Sequence, residues 1–134
     1  MIKFNKVMLV DDDEVSNFIT TEILNTINLA DYILVATNGK EALELLHYPS
    51  ENKTEQDIDC CPDLIFLDLN MPVMDGFEFL EACELCEGDK IKVVVLTSST
   101  NQKDIEEARK YPQVKYYLSK PLTADKVERA IRYI

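Results

Sequence analysis

Five times along this chain a short apolar run is followed by a stretch of helical hydrophobic period, and that alternation limits the fold more than any other feature. The runs are Val7 to Val10, Tyr32 to Ala36, Leu64 to Leu67, Val93 to Leu96 and Tyr116 to Leu118, each short enough to read as a strand, the first as a buried one. Behind the first, Phe18, Ile19, Ile23 and Ile27 recur at helical spacing from Val15. Behind the second, Asn38 and Glu41 stand three apart, as in a capping box, ahead of Ala42, Leu45 and Leu46. Asp75-Gly76 marks a turn before a helix from about Phe77 to Cys86. Asn101 is a candidate cap for a helix holding Ile105 and Ala108, with Glu106 and Lys110 spaced to pair. Thr123 is a candidate cap for a last helix whose face is Val127, Ala130, Ile131 and Ile134. Strands that alternate with helices predict an α/β fold, a doubly wound five-stranded parallel sheet flanked by five helices. Ligands of such sheets bind beyond the carboxyl ends of the strands, so the residues that follow each strand are where function is sought.

Length and charge narrow the classes. A chain of 134 residues fits one domain with a real core, and residues 1–134 are expected to form a single unit with no second domain. The balance of 46% hydrophobic and 29% charged residues is that of an ordinary globular protein. A formal net charge of −11 opposes direct binding to nucleic acid or an anionic membrane. No apolar stretch approaches a membrane span, and MIKFNKVMLV lacks the pattern of a signal peptide, so the expected compartment is the cytoplasm.

Some features invite sharper readings. Cys83 and Cys86 have the spacing of a redox or zinc pair, but they fall late in a helix, and Cys60 and Cys61 are adjacent, which supplies no second pair of zinc-like spacing. Cys83 is better read as a small core residue. His47, the single histidine, falls near the end of the second helix, away from the strand ends, and reads as a surface residue. The segment Tyr48 to Asp63 is longer than the usual helix-to-strand connection, either a tolerated surface insertion or a partner contact.

The strand ends carry the chemistry. The first ends in Asp11-Asp12-Asp13, where helix capping accounts for one acid but hardly for three. The third ends in Asp68, an acid leaving so apolar a run that burial is costly without a partner. If the two strands are neighbours, Asp11, Asp12 and Asp68 converge and repel one another. A hard divalent cation relieves that repulsion, and magnesium takes oxygen ligands of this kind. Thr97, followed by Ser98 and Ser99, ends the fourth strand, and Lys120-Pro121 follows the fifth. A cis bond before Pro121 would aim the lysine sideways into the cleft. Each feature has an ordinary local explanation. Together they place acids, a hydroxyl and an ammonium at one edge, a set suited to an anion bridged by a metal and hence to phosphoryl chemistry.

The runs LVDDD, LIFLDLNMPVMDG, VVVLTSS and YLSKP, in this order and spacing, strongly resemble the receiver domains of two-component signalling, the CheY-like response regulators, over the whole chain. That resemblance implies the strand order 2-1-3-4-5. It implies that Asp68 is the phosphoryl acceptor and that Asp11 and Asp12 hold Mg2+ (or Mn2+), with the backbone carbonyl of Asn70 as a further ligand. Thr97 matches the hydroxyl that bonds the phosphoryl group, Lys120 the lysine that pairs with it, and Tyr117 the switch aromatic, although the adjacent Tyr116 leaves the register open. The implied donor is a sensor histidine kinase or a histidine phosphotransfer protein, and the reader is an unspecified downstream protein that meets the face of helix four, strand five and helix five. The implied state is a monomer or weak homodimer that assists its own phosphorylation and dephosphorylation without turning over a separate substrate. The long segment after the second helix vaguely resembles that of stand-alone receivers serving light- or hybrid-kinase pathways. Three rivals compete. A magnesium-dependent phosphohydrolase would usually carry an acid two residues after its nucleophile, where Asn70 stands. A flavodoxin-like cofactor binder would need a phosphate loop after the first strand, which here is acidic. A degenerate receiver would bind its partner without phosphorylation, which the complete residue set opposes.

Overall fold

The five apolar runs pair side by side as parallel strands in the order β2-β1-β3-β4-β5. The structure, a computed structural model, describes residues 4–47, 62–69, 75–87, 91–97 and 102–134, without the side chains of residues 46, 47, 82–87 and 97. Strands β1 (Phe4–Val10), β2 (Ala30–Ala36), β3 (Leu64–Asp68), β4 (Lys92–Thr97) and β5 (Val114–Ser119) alternate with helices α1 (Glu14–Thr26), α2 (Gly39–His47), α3 (Gly76–Glu87), α4 (Gln102–Arg109) and α5 (Ala124–Tyr133). β3, the middle strand, is buried along its whole length. Strands buried on both faces read as unbroken apolar runs rather than alternating ones, as this one does.

The sheet divides the core into two layers. Met8, Val10, Ile65, Leu67, Val93 and Val95 point to one side, where Phe79 and Leu80 of α3 and Ala42 of α2 cover them. Val7, Leu9, Leu64, Phe66, Val94 and Leu96 point to the other, against Leu24 of α1 and Val127, Ala130 and Ile131 of α5. The alternation along each strand is the two-residue period of a pleated chain. α5 presents the face its sequence predicts.

α1 does not. Its buried residues are Asn17, Thr20 and Leu24, while Val15 and Phe18 are 66% and 65% exposed and Ile19 is also exposed. Ile23 and Ile27 pack against the core as their spacing predicts, but Phe18 and Ile19 do not, because the inner face near β1 carries a polar side chain with a task at the end of that strand. The helix ends on Asn28 at φ 53°, a left-handed residue that lets Asn28 N donate to Asn25 O and Leu29 N to Leu24 O. That double closure satisfies the last carbonyls, and asparagine tolerates the left-handed region better than most residues.

Local signals hold elsewhere with small corrections. Asn38 Oδ1 accepts from Glu41 N at 2.8 Å, as the capping pattern requires, but the Glu41 carboxylate accepts from the Thr37 hydroxyl at 3.0 Å. Asp75 and Glu78 close a full capping box at the start of α3, where the sequence suggested only a turn. Thr123 Oγ1 accepts from Lys126 N at the start of α5. Lys110 pairs with Glu107 at 3.2 Å rather than with Glu106. It lies just past α4, and its N–H bonds the Glu107 carbonyl in a tighter turn, which rotates the side chain toward that neighbour. Asn101, Cys60, Cys61 and most of the Tyr48 to Asp63 segment lie outside the described residues, as do the side chains of Cys83, Cys86 and His47.

Candidate functional site

Register, not proximity in sequence, assembles the site. Val10 lies beside Leu67 in the β1–β3 ladder, Asp68 beside Leu96, and Thr97 beside Ser119. The backbones that carry Asp11, Asp68, Thr97 and Lys120 therefore leave the sheet within about one residue of each other on four strands. A parallel sheet brings all its carboxyl ends to one edge, where no strand continues and side chains have room to converge.

Asp11 is nearly enclosed. Its backbone N donates to Ala36 O at 3.1 Å, and its carbonyl accepts from the buried Asn17 Nδ2 at 2.8 Å. Its Oδ1 accepts from Asp13 N at 2.9 Å. Asn17 is the polar residue on the inner face of α1, and it fastens that helix to the exit of β1. Sequence reasoning missed it, and the only signal was an amide inside an otherwise apolar period. Asp13 Oδ1 accepts from Val15 N and Ser16 N, so the third acid is the helix cap, as expected. Asp12 is exposed and Asp68 is buried.

Behind Asp68 the chain leaves no space. Gly76 N donates to Leu69 O at 3.0 Å. A Cβ on Gly76 would lie 2.7 Å from Leu69 Cα and 2.8 Å from Asp68 O, so the start of α3 approaches the end of β3 as only glycine allows.

Asp11, Asp12 and Asp68 bring carboxylate oxygens within 4.8 Å of one another. Lys120 Nζ reaches into the same cluster, 2.6 Å from Asp11 Oδ2 and 3.5 Å from Asp68 Oδ2, after a Lys120-Pro121 bond that is cis. Burial pulls the Lys120 ammonium toward its neutral form, but the short contact to Asp11 and the charges of Asp68 and Asp11 outweigh it and hold its pKa above the ordinary 10.5. The lysine is thus a fixed cation. Asp11 Oδ2 is buried and accepts no aligned hydrogen bond among the described residues, so its contact to Lys120 is an ion pair with a lone pair to spare. A buried oxygen with unused capacity, in a set of hard carboxylate oxygens, fits a magnesium-type ion.

The remaining predicted residues are placed unequally. The backbone of Thr97 closes β4, but its side chain lies outside the described residues, as do Asn70, Ser98 and Ser99. The layer that Tyr117 faces is set by an irregularity. Between Val93 and Val94 the ladder partner jumps from Val114 to Tyr116, so Tyr116 pairs with Val94 and Tyr117 with Val95. Tyr117 therefore packs on the layer shared with α3 and α4, with the Arg109 guanidinium 5.8 Å from its ring centre. Tyr116 lies on the other layer, its ring 5.1 Å from that of Tyr133. No helix among the described residues is long and apolar enough to cross a membrane.

Comparison with known proteins identifies the family and the fold. The family model of the response regulator receiver domain matches residues 7–132. Response regulator Rcp1 of Synechocystis sp. is 32% identical over 100 residues, which are 74% of this chain and 65% of Rcp1. The chain thus spans slightly less than two thirds of that relative. The crystal structure of a two component response regulator from Cytophaga hutchinsonii superposes with a TM-score of 0.82 at 29% identity, covering 97% of this chain and 96% of the other. The phosphorylated cyanobacterial phytochrome response regulator RcpA superposes with a TM-score of 0.73 at 28% identity, covering 96% and 89%.

Proposed function

Since this chain belongs to the response regulator receiver family, a signalling family whose members are phosphorylated by histidine kinases, we propose that it is a switch set by a phosphoryl group on Asp68. The observation that carries the reading is the convergence of a buried acceptor, two further acids and one fixed cation: Asp68, Asp11, Asp12 and Lys120. Asp68 ends β3, Asp11 and Asp12 follow β1, and Lys120 follows β5, so strand register brings them to one edge, and phosphoryl transfer depends on groups positioned together in this way.

In the proposed step an Asp68 carboxylate oxygen attacks the phosphorus of a phosphohistidine in line with the departing imidazole nitrogen. The P–O bond forms, the P–N bond breaks, and the imidazole, already protonated on its other nitrogen, leaves as the neutral ring. The product is an acyl phosphate. Water later attacks the phosphorus, the bond from phosphorus to the Asp68 oxygen breaks, and inorganic phosphate leaves with the protons of the water while Asp68 returns as a carboxylate. Lys120, already charged, offsets the negative charge on the transferring oxygens. Asp11, Asp12 and Asp68, with the Asn70 carbonyl, would hold Mg2+ or Mn2+, which supplies further positive charge against those oxygens. The Thr97 hydroxyl moves to bond the phosphoryl group, and the space it leaves lets Tyr117 turn inward, altering the α4–β5–α5 face that a partner reads. Such a signal is a shift between two populations, so the phosphoryl group must bind one of them better.

Residues 1–134 are read as one receiver domain acting in the cytoplasm, as a monomer or weak homodimer, through a protein partner rather than nucleic acid. The likeness to a phytochrome response regulator makes a light-sensing or hybrid histidine kinase, or its phosphotransfer protein, the first donor class to try.

The test is intact mass after incubation with acetyl phosphate, with and without magnesium, on the wild type and Asp68→Ala. A gain of one phosphoryl group that needs both magnesium and Asp68 is expected. No gain in a folded, magnesium-binding protein would mean a receiver that signals without phosphorylation.

A further inference from the structure

Lys126 sits in the first turn of α5, where the helix dipole disfavours a cation. Its half-exposed side chain folds back on the chain. It turns back past the cap and donates to Ser119 O at 3.1 Å, to Ser119 Oγ at 3.3 Å and to Pro121 O at 2.9 Å. A lysine has three N–H donors, and here all three meet acceptors in one turn. Those acceptors stand immediately before and after Lys120. Two further bonds fix the root of the side chain, since Lys126 N donates to Thr123 Oγ1 at 3.2 Å and Val127 N to Thr123 O at 3.1 Å.

We propose that Lys126 is a positioning residue: its ammonium clasps the turn between β5 and α5 and so holds Lys120 at Asp11 and Asp68. The inference rests on the phosphoacceptor reading above and adds to it a residue outside the cluster of charges. The turn it spans has Ser119 paired to Thr97 on one side and the start of α5 on the other, so the clasp ties the cation of the site to two elements at once. A solvated lysine would cost little to lose. A clasp whose loss lets Lys120 drift costs rate, because phosphoryl transfer depends on groups held to a fraction of an ångström.

The rate of phosphorylation by acetyl phosphate at saturating magnesium is measured for Lys126→Met and Lys126→Arg, each also in a Lys120→Gln background. Lys126→Met is expected to slow the wild-type reaction by about 3- to 10-fold, and Lys126→Arg, which keeps the donors, to restore most of it. In the Lys120→Gln background Lys126→Met should change nothing further, since the effect runs through Lys120. No loss in Lys126→Met overturns the proposal, and so does an equal loss in both backgrounds, which would mean that the charge acts at a distance or through general stability. Should Lys126→Met not fold, Lys126→Gln takes its place in the same cycle. The nitrogen resonance of the Lys120 ammonium in unphosphorylated protein gives an independent readout and should shift in Lys126→Met. If the wild type accepts no phosphoryl group yet that resonance shifts, the phosphoacceptor reading fails and the positioning role stands. If the resonance does not move, the positioning role fails whatever the chemistry does.

Discussion

α1 and α5 lie on the same side of the sheet and share one core layer, yet they use their faces in opposite ways. α5 buries Val127, Ala130 and Ile131 on one apolar face. α1 buries Asn17 and Thr20 beside Leu24 and shows Val15 and Phe18 to solvent. The difference follows from what each helix adjoins. α5 starts after the turn that carries Lys120 and covers the sheet, so its inner face has only packing to do. α1 begins directly at the acidic cluster, and the carbonyl of Asp11 has to be met by a donor from inside. An unmet buried carbonyl costs more than a lost methyl contact gains, so the polar residue takes the inner position.

Several substitutions sharpen or break that contrast. Ile131→Ala should lower unfolding stability by about 2–4 kcal/mol through the cavity it leaves, whereas Phe18→Ala, removing a larger side chain, should cost less than about 0.5 kcal/mol; urea unfolding of the pair measures both. Comparable losses would mean that α1 is packed on its apolar stripe after all. Gly76→Ala is next, at about 1–3 kcal/mol, because the new methyl meets backbone at 2.7 and 2.8 Å. It should also weaken magnesium binding, read by titration of the metal, since it displaces the end of β3. Asn17→Leu, which hydropathy alone would favour, should destabilise by about 1–2 kcal/mol because it leaves the Asp11 carbonyl without its donor.

The smallest effect concerns pH. Lys120 has its pKa raised in the folded state, so the stability it contributes is fully present below its unfolded value of 10.5 and is lost as pH rises through the folded value. The gap in urea midpoint between wild type and Lys120→Met should therefore stay flat between about pH 6 and pH 9 and narrow only above about pH 10.5. A gap that changes within the neutral range would assign the dependence to a different group.

Much of this molecule was readable from its residues. The alternation of apolar runs and helical periods predicted all five strands and helices, and the family pattern supplied the strand order that brings Asp11, Asp12 and Asp68 together. The strands proved longer than their apolar centres. β1 starts at Phe4 and β2 at Ala30, because ladder hydrogen bonds continue through polar residues that hydropathy does not mark. The family pattern pointed to Tyr117, but which ring faces which layer was not readable, since one irregular step at Val93 and Val94 decides it. Asn17 and Lys126 stayed hidden for a related reason. Both serve backbone carbonyls, and the demand of a carbonyl for a donor leaves no trace in composition or period.

The central claim is that Asp68 itself carries the phosphoryl group. An acyl phosphate can be reduced by borohydride, which converts the modified aspartate to homoserine, and peptide mapping of the reduced protein then identifies the position. After treatment with acetyl phosphate and magnesium, the conversion should fall on Asp68 and disappear when magnesium is withheld. Conversion at Asp11 or Asp12, or phosphorylation that borohydride does not remove, would contradict it.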